Sequence, residues 1–306
     1  MGLAGLAGLW IRGYRRARRV DRDNPPIGRF VDVDGVRLHY IERGTGTPVV
    51  LLHGNGAAVE DFTSAGLVDL LARGHRVVAI DRPGFGYSDR PRDRSWTAET
   101  QAELLERAFA QLGVDRPVVV GHSWGALVAL ALAARARTDL RGLVLIAGYY
   151  YPVRRADVAM VAPLALPIVG DAARAVLGPL IGRMAARWLV AKAFAPNAIP
   201  GRFSREFPIA LSVRPSALRA CAEETALMIP AAAALQNSYR RLALPVTILA
   251  GAEDHLVETE RHAVRLHRDV PHSRLHVFAG VGHMLHHFVP EHVAAAVESM
   301  SRGAPI

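Results

Sequence analysis

The sequence holds a single cysteine, Cys221, in 306 residues. One thiol excludes an internal disulfide framework and a cysteine-rich zinc site, and it suits a reducing, cytoplasmic setting. Aromatic residues are scarce at 7%, and no zinc-finger or RNA-binding signature occurs. Acids are outnumbered, 28 against 37 basic side chains, which leaves a formal charge of +9. Only Lys192 among those 37 is a lysine, and the arginines are spread along the chain among many alanines. Such a spread follows the base composition of a genome rather than a binding face, so nucleic acid is not an expected partner.

Long apolar runs are missing too. Val158–Gly170 is uncharged but has 13 residues and two prolines, short of the ~20 needed to span a bilayer. Met1–Ile11 is shorter still. Arg12, Arg15, Arg16, Arg18 and Arg19 follow it, on the wrong side for a secretory signal. The start also lacks the Ser/Thr of a myristoylation motif. Residues 1–26 therefore read as a tail, either a surface-lying amphipathic segment or a disordered one. In the first case residues 1–20 would touch a membrane surface.

What is present is a 51% hydrophobic composition, ample for a core. After Asn24-Pro25-Pro26, the alternating runs Phe30–Val33 and Val36–Glu42 flank Asp34-Gly35, a two-residue hairpin turn with positive φ angles. Short apolar runs then predict strands at Pro48–Leu52, Arg76–Ile80, Pro117–Gly121, Arg141–Ala147, Pro245–Ala250 and Arg274–Phe278. Helices are predicted at Glu60–Ala72, Trp96–Leu112, Trp124–Arg135, Glu258–Asp269 and Pro290–Ser301. The rhythm predicts an α/β fold with a doubly wound, mostly parallel sheet led by an antiparallel hairpin. It breaks once. Residues 151–241 carry no strand-like run, are rich in alanine and proline, and show helical patterning in Leu180–Phe194 and Pro215–Gln236. A structureless loop of that length is improbable, so this stretch is an inserted helical subdomain. Residues 27–150 and 242–306 form the core.

The sharpest motif is Gly121-His122-Ser123-Trp124-Gly125, between a strand and a helix. Glycines two before and two after the serine permit a sharp turn that raises its hydroxyl beside the helix's positive N-terminus. Here the chain resembles the α/β-hydrolase family, from Phe30 to Ser301. His53-Gly54-Asn55-Gly56 looks like that family's oxyanion loop. Asp81-Arg82-Pro83-Gly84-Phe85-Gly86-Tyr87-Ser88 resembles the turn after the next strand, and the insertion falls where the family places its cap.

The resemblance implies Ser123 as nucleophile, with an acid and a histidine following it in that chain order. In Gly251-Ala252-Glu253-Asp254, Asp254 resembles the acid, with Glu253 as the competing carboxylate; Asp254 as a helix N-cap is the bland alternative. In Gly280-Val281-Gly282-His283-Met284-Leu285-His286-His287, His283 fits the catalytic histidine, and His286 and His287 read as pocket or surface residues. The backbone N–H groups of Asn55 and Trp124 would hold the oxyanion. His53 and His122 read as braces for their turns, Asp81 and Arg82 as a lock on the neighbouring loop, and the Tyr149–Tyr151 run as packing. The histidines at 283, 286 and 287 lack an HExxH or paired-carboxylate setting, so neither a metal nor a cofactor is expected.

The setting is also similar to haloalkane dehalogenases and epoxide hydrolases, whose nucleophile is an aspartate. A serine attacking their substrates would leave an ether, which water does not cleave as it does an ester. Serine suits acyl transfer. The expected activity is hydrolysis of an ester or related acyl bond in an apolar small molecule. The alternatives are a cofactor-free perhydrolase or haloperoxidase using the same triad, and a non-catalytic binding protein of the same fold. Natural substrate and oligomeric state stay open.

Overall fold

A computed structural model of the chain describes residues 19–154, 158, 161–166 and 169–302, excluding the side chains at 162, 163, 169 and 172–183. The expected surface anchor in residues 1–20 lies almost wholly outside the described residues. Eight strands are formed: β1 Arg29–Val33, β2 Val36–Arg43, β3 Thr47–Leu52, β4 His75–Ile80, β5 Val118–His122, β6 Gly142–Ile146, β7 Val246–Gly251 and β8 Arg274–Phe278. They make one sheet in the order β1-β2-β4-β3-β5-β6-β7-β8. The hairpin β1–β2 and the β2–β4 pair are antiparallel, and every other pair is parallel. Asp34 and Gly35 close the hairpin with φ angles of 52° and 75°, as the Asp-Gly pair predicts.

The central strands are buried on both faces because helices cover each side. Helices Ala98–Leu112 and Trp124–Arg135 pack on one face with Val50, Leu52, Val78, Val119 and Leu145. On the other, Leu67, Leu71, Val293 and Val297 pack with Val49, Leu51, Val77, Val120 and Val144. β8 departs from the expectation of two apolar faces. It is the edge strand, and Arg274, His276 and Val277 are exposed.

Three helices also differ from the pattern. The stretch expected as one helix, Glu60–Ala72, is two, Val59–Ser64 and Leu67–Leu71. Gly66 separates them at φ 75°, a left-handed conformation that ends a right-handed helix cheaply only at glycine. The helix expected over Glu258–Asp269 opens with a π turn, Glu260–Val264, before Arg265–Asp269. In the stretch between β6 and β7, the helix expected from Leu180 begins at Val169 and runs to Phe194. It is followed by Gly201–Glu206, Ile209–Ser212 and Pro215–Leu235. Proline at the first position suits the last of these, because that N–H has no helical partner to lose.

The helical stretch is bolted to the sheet through a buried ion pair. Arg82, just after β4, is fully buried and donates from Nη1 and Nη2 to the Glu224 carboxylate in Pro215–Leu235, the second bond measuring 3.0 Å. Gln101 links both partners: its Oε1 accepts from Arg82 at 3.0 Å and its Nε2 donates to Glu224 at 2.9 Å.

Candidate active site

The chain runs from β3 to β4 on one side and reaches β5 on the other, so the winding direction reverses around β3. In open α/β sheets, ligands bind outside the carboxyl ends of the strands at such a reversal. Leaving β3 is the loop His53-Gly54-Asn55, and leaving β5 is Ser123.

Ser123 adopts φ 51° and ψ −114° between β5 and helix Trp124–Arg135. A non-glycine residue held there stores strain, which the surroundings must over-determine. They do so by close packing. A side chain at Gly121 would meet the Gly125 carbonyl, and one at Gly125 would meet the Leu52 carbonyl. The Ser123 N–H donates to Ile146 O at 2.9 Å, tying the turn to β6. A Cβ at Gly54 would stand 3.2 Å from the Ser123 Cβ, so the β3 loop lies directly against this serine.

That loop is held from both ends. His53 Nδ1–H donates to Gly54 O at 2.8 Å, and its Nε2 accepts from the Arg82 N–H at 3.0 Å. Burial, with the Arg82 charge beside it, pushes His53 down to about 4, so the ring is neutral and this tautomer is the consistent one. Asp81 and Arg82 lock the neighbouring loop as expected: Asp81 accepts from Val59 N at 2.8 Å and Tyr87 N at 3.0 Å, and Arg82 Nε donates to His53 O at 2.7 Å. Asn55 turns its Nδ2 to the cap, donating to Cys221 O at 3.2 Å and Thr225 Oγ1 at 3.1 Å. Its side chain thus engages the helical insertion.

Asp254 follows β7 and His283 follows β8. His283 Nδ1–H donates to Asp254 Oδ2 at 2.8 Å, with both side chains nearly inaccessible. Asp254 Oδ1 accepts the N–H groups of Leu256 and Val257, each at 2.8 Å, so the carboxylate is fully occupied and aimed. Glu253 makes no such pair; its Oε2 is buried without a partner. The His283 ring lies 4.9 Å, centroid to centroid, from His122, the residue before Ser123. Among the described residues no hydrogen bond joins Ser123 Oγ to the His283 ring. Bonds of this kind commonly tighten only once substrate is seated.

Behind His283 stands a cluster that the motifs did not reveal. Fully buried Asp61 accepts from His286 Nε2 at 3.2 Å and His287 Nε2 at 2.8 Å. Both histidines were expected at a pocket or surface; instead they are buried in the core around Asp61. Burial alone would raise the Asp61 pKa, but the His286 and His287 rings hold it well below the usual carboxylate range. His122 Nε2–H donates to the His283 carbonyl at 3.1 Å, which braces the histidine loop as well as its own turn. Burial pushes His122 well below the usual imidazole value, and His286 and His283 add to that. Ligating atoms of Asp61, His122 and His286 all lie within 4.8 Å of one another, the residues here closest to a cation-holding arrangement. The two imidazole hydrogen bonds already satisfy Asp61 without one. Nothing near the sequence motifs marks Asp61 or Glu224, because each meets its partners only across the fold. Tyr149, Tyr150 and Tyr151 are all buried packing residues, as expected.

A strained serine turn at the switch point thus follows His122, whose ring lies close to that of the Asp254-paired His283, on an open α/β sheet. The chain belongs to the alpha/beta hydrolase fold family, whose model matches residues 47–290. It is 29% identical over 275 residues to a 2-hydroxymuconate semialdehyde hydrolase of Pseudomonas sp. (strain CF600), covering 86% of this chain and 89% of that one. Among solved structures, an esterase from Exiguobacterium antarcticum aligns with a TM-score of 0.69 at 22% identity, covering 90% of this chain and all of that one. A bromoperoxidase from Bacillus anthracis aligns with a TM-score of 0.70 at 19% identity, covering 90% and 99%. The two structural likenesses concern the fold.

Proposed function

We propose that the protein is a serine hydrolase that cleaves an ester or related acyl bond of an apolar small molecule. The single observation that carries the reading is the 2.8 Å His283–Asp254 hydrogen bond beside the strained Ser123 turn. Ser123 Oγ adds to the substrate carbonyl carbon while its proton passes to His283 Nε2. The electron pair displaced onto the carbonyl oxygen is held by the N–H groups of Asn55 and Trp124. Collapse expels the alcohol, which leaves with the proton from His283. Water then attacks the acyl-enzyme as His283 takes its proton; the Ser123 Oγ–acyl bond breaks, His283 returns that proton to Oγ, and the acid departs. Asp254 keeps Nδ1 protonated so that Nε2 is free to act as base. Every step runs through side chains and main-chain donors of this chain.

Support for the oxyanion role comes from the loop itself: the Asn55 side chain is drawn to Cys221 and Thr225, and Gly54 lies against Ser123. A fluorophosphonate probe should label Ser123 stoichiometrically. A panel of p-nitrophenyl esters of rising chain length, run beside 2-hydroxymuconate semialdehyde, should then rank substrate classes by kcat/KM. Absence of label on Ser123 in folded protein would sink the proposal.

A further inference from the structure

Helix Val169–Phe194 has two unlike faces over its last three turns. Inward, Val190, Ala193 and Phe194 pack with Phe203, Phe207 and Met284, the residue after His283. Outward, Met184, Trp188 and Leu189 are 76, 63 and 54% exposed, and Lys192 Nζ sits 5.4 Å from the Trp188 ring centroid. Large apolar side chains this open, clustered on one turn, mark an interaction surface rather than the scattered exposure of ordinary surfaces.

Charge selects the occupant. From Ala172 to Ser204 the sequence has no acid; it contains Arg174, Arg183, Arg187 and Lys192, and Arg202 beyond them is paired with Asp69 and Glu206. An apolar stripe with a tryptophan, flanked by cations only, has the composition of a segment that lies in the headgroup layer of an anionic bilayer. A second copy of the same face would bring like charges together. So would the arginine-rich residues 12–19 of this chain. Among the described residues no helix is long and apolar enough to cross a membrane, so the contact is peripheral.

We infer that the outward face of residues 184–192 docks the protein on an anionic lipid surface, with the end of the sheet that bears Ser123 and His283 turned toward the bilayer. Trp188 seats at headgroup depth, Met184 and Leu189 enter the acyl boundary, and Arg187 and Lys192 meet lipid phosphates. The docking does not depend on the acyl-transfer reading.

The test uses the full chain with vesicles of phosphatidylcholine alone and of phosphatidylcholine with an equal share of phosphatidylglycerol. Binding should require the anionic lipid and weaken in high salt. The double variant Met184→Asp/Trp188→Asp should weaken binding about tenfold or more, since two inserted apolar groups become charges of the same sign as the lipid. Soluble-ester turnover and melting temperature should stay unchanged, because both positions are open to solvent. Ser123→Ala should bind vesicles as the wild type does, which separates failure of docking from failure of the hydrolase reading. Vesicle binding unaffected by the double variant would overturn the inference and leave any lipid contact to residues 1–20. A change in sedimentation-derived mass without a change in vesicle binding would overturn it in favour of a contact between copies.

Discussion

Asp254 Oδ2 accepts a 2.8 Å hydrogen bond from His283 Nδ1, while its other oxygen accepts two main-chain N–H groups. Only a carboxylate accepts at both positions at once. Asp254→Asn would present an amide where the imidazole N–H must donate, forcing the wrong tautomer. kcat should fall by about three to four powers of ten with the fold intact. Glu253→Gln should leave kcat within a few-fold, since Glu253 touches neither histidine nor Ser123. Steady-state kinetics on one ester settles both; the reverse ranking would move the acid to Glu253.

Gly54 packs the loop after β3 against the serine turn. An added Cβ would lie 3.0 Å from His122 Nδ1 and 3.2 Å from Ser123 Cβ. Gly54→Ala should therefore displace the Asn55 N–H from the oxyanion position and lower kcat on the order of 100-fold, the scale of losing one donor. KM should change little. An unaltered kcat would take Asn55 out of the oxyanion role.

Glu224 neutralises the fully buried Arg82 across the junction of the sheet and the helical insertion. Glu224→Gln leaves a guanidinium buried with no counter-charge, which costs roughly 3–5 kcal/mol. Chemical denaturation should show this loss directly. A loss under 1 kcal/mol would mean that the junction relaxes to admit water.

Asp61 holds His286 and His287, three and four residues after His283. Asp61→Asn removes the charge that both imidazoles face and loosens the turn that carries His283. As a positioning residue, it should lower kcat about tenfold or more with KM nearly constant, a split expected of an interaction felt in the transition state. A rise in KM alone would assign Asp61 to substrate binding instead.

Glu60 is buried with Oε2 unpartnered, and burial together with the Asp81 charge pushes it up to about 7. The folded state keeps this proton until about pH 7, whereas the unfolded chain releases it near the ordinary glutamate value of 4.5. Between those values the unfolded state binds fewer protons, so this group lowers stability as pH rises. His53 has the opposite slope: its folded-state value of about 4 lies below 6.5, so its contribution is intact above 6.5 and lost as pH falls toward 4. Glu60→Gln should raise the melting temperature at pH 8 by on the order of 5 °C and change it little at pH 4.5. Equal shifts at both pH values would rule out titration of Glu60 as the cause.

The fold was legible because its signals are local. β-branched apolar runs separated by helical patterns announce a parallel sheet, and Gly121 and Gly125 announce a turn too tight for side chains. Asp34-Gly35 closes the hairpin through backbone angles that those two residues tolerate. Helix breaks were less legible, since Gly66 interrupts Val59–Leu71 only where packing rewards a change of direction.

By itself the sequence determined the α/β class, the strand ends that carry Ser123, Asp254 and His283, and the strandless stretch between β6 and β7. Each follows from a residue's effect on its near neighbours in the chain. Only the tertiary structure decided that His286 and His287 turn inward to Asp61, that Glu224 anchors the helical insertion through Arg82, and that Met184, Trp188 and Leu189 are exposed. Those outcomes join residues up to 226 positions apart. They depend on which buried charge finds a counter-charge and which helix face finds a neighbour, and no local pattern encodes either.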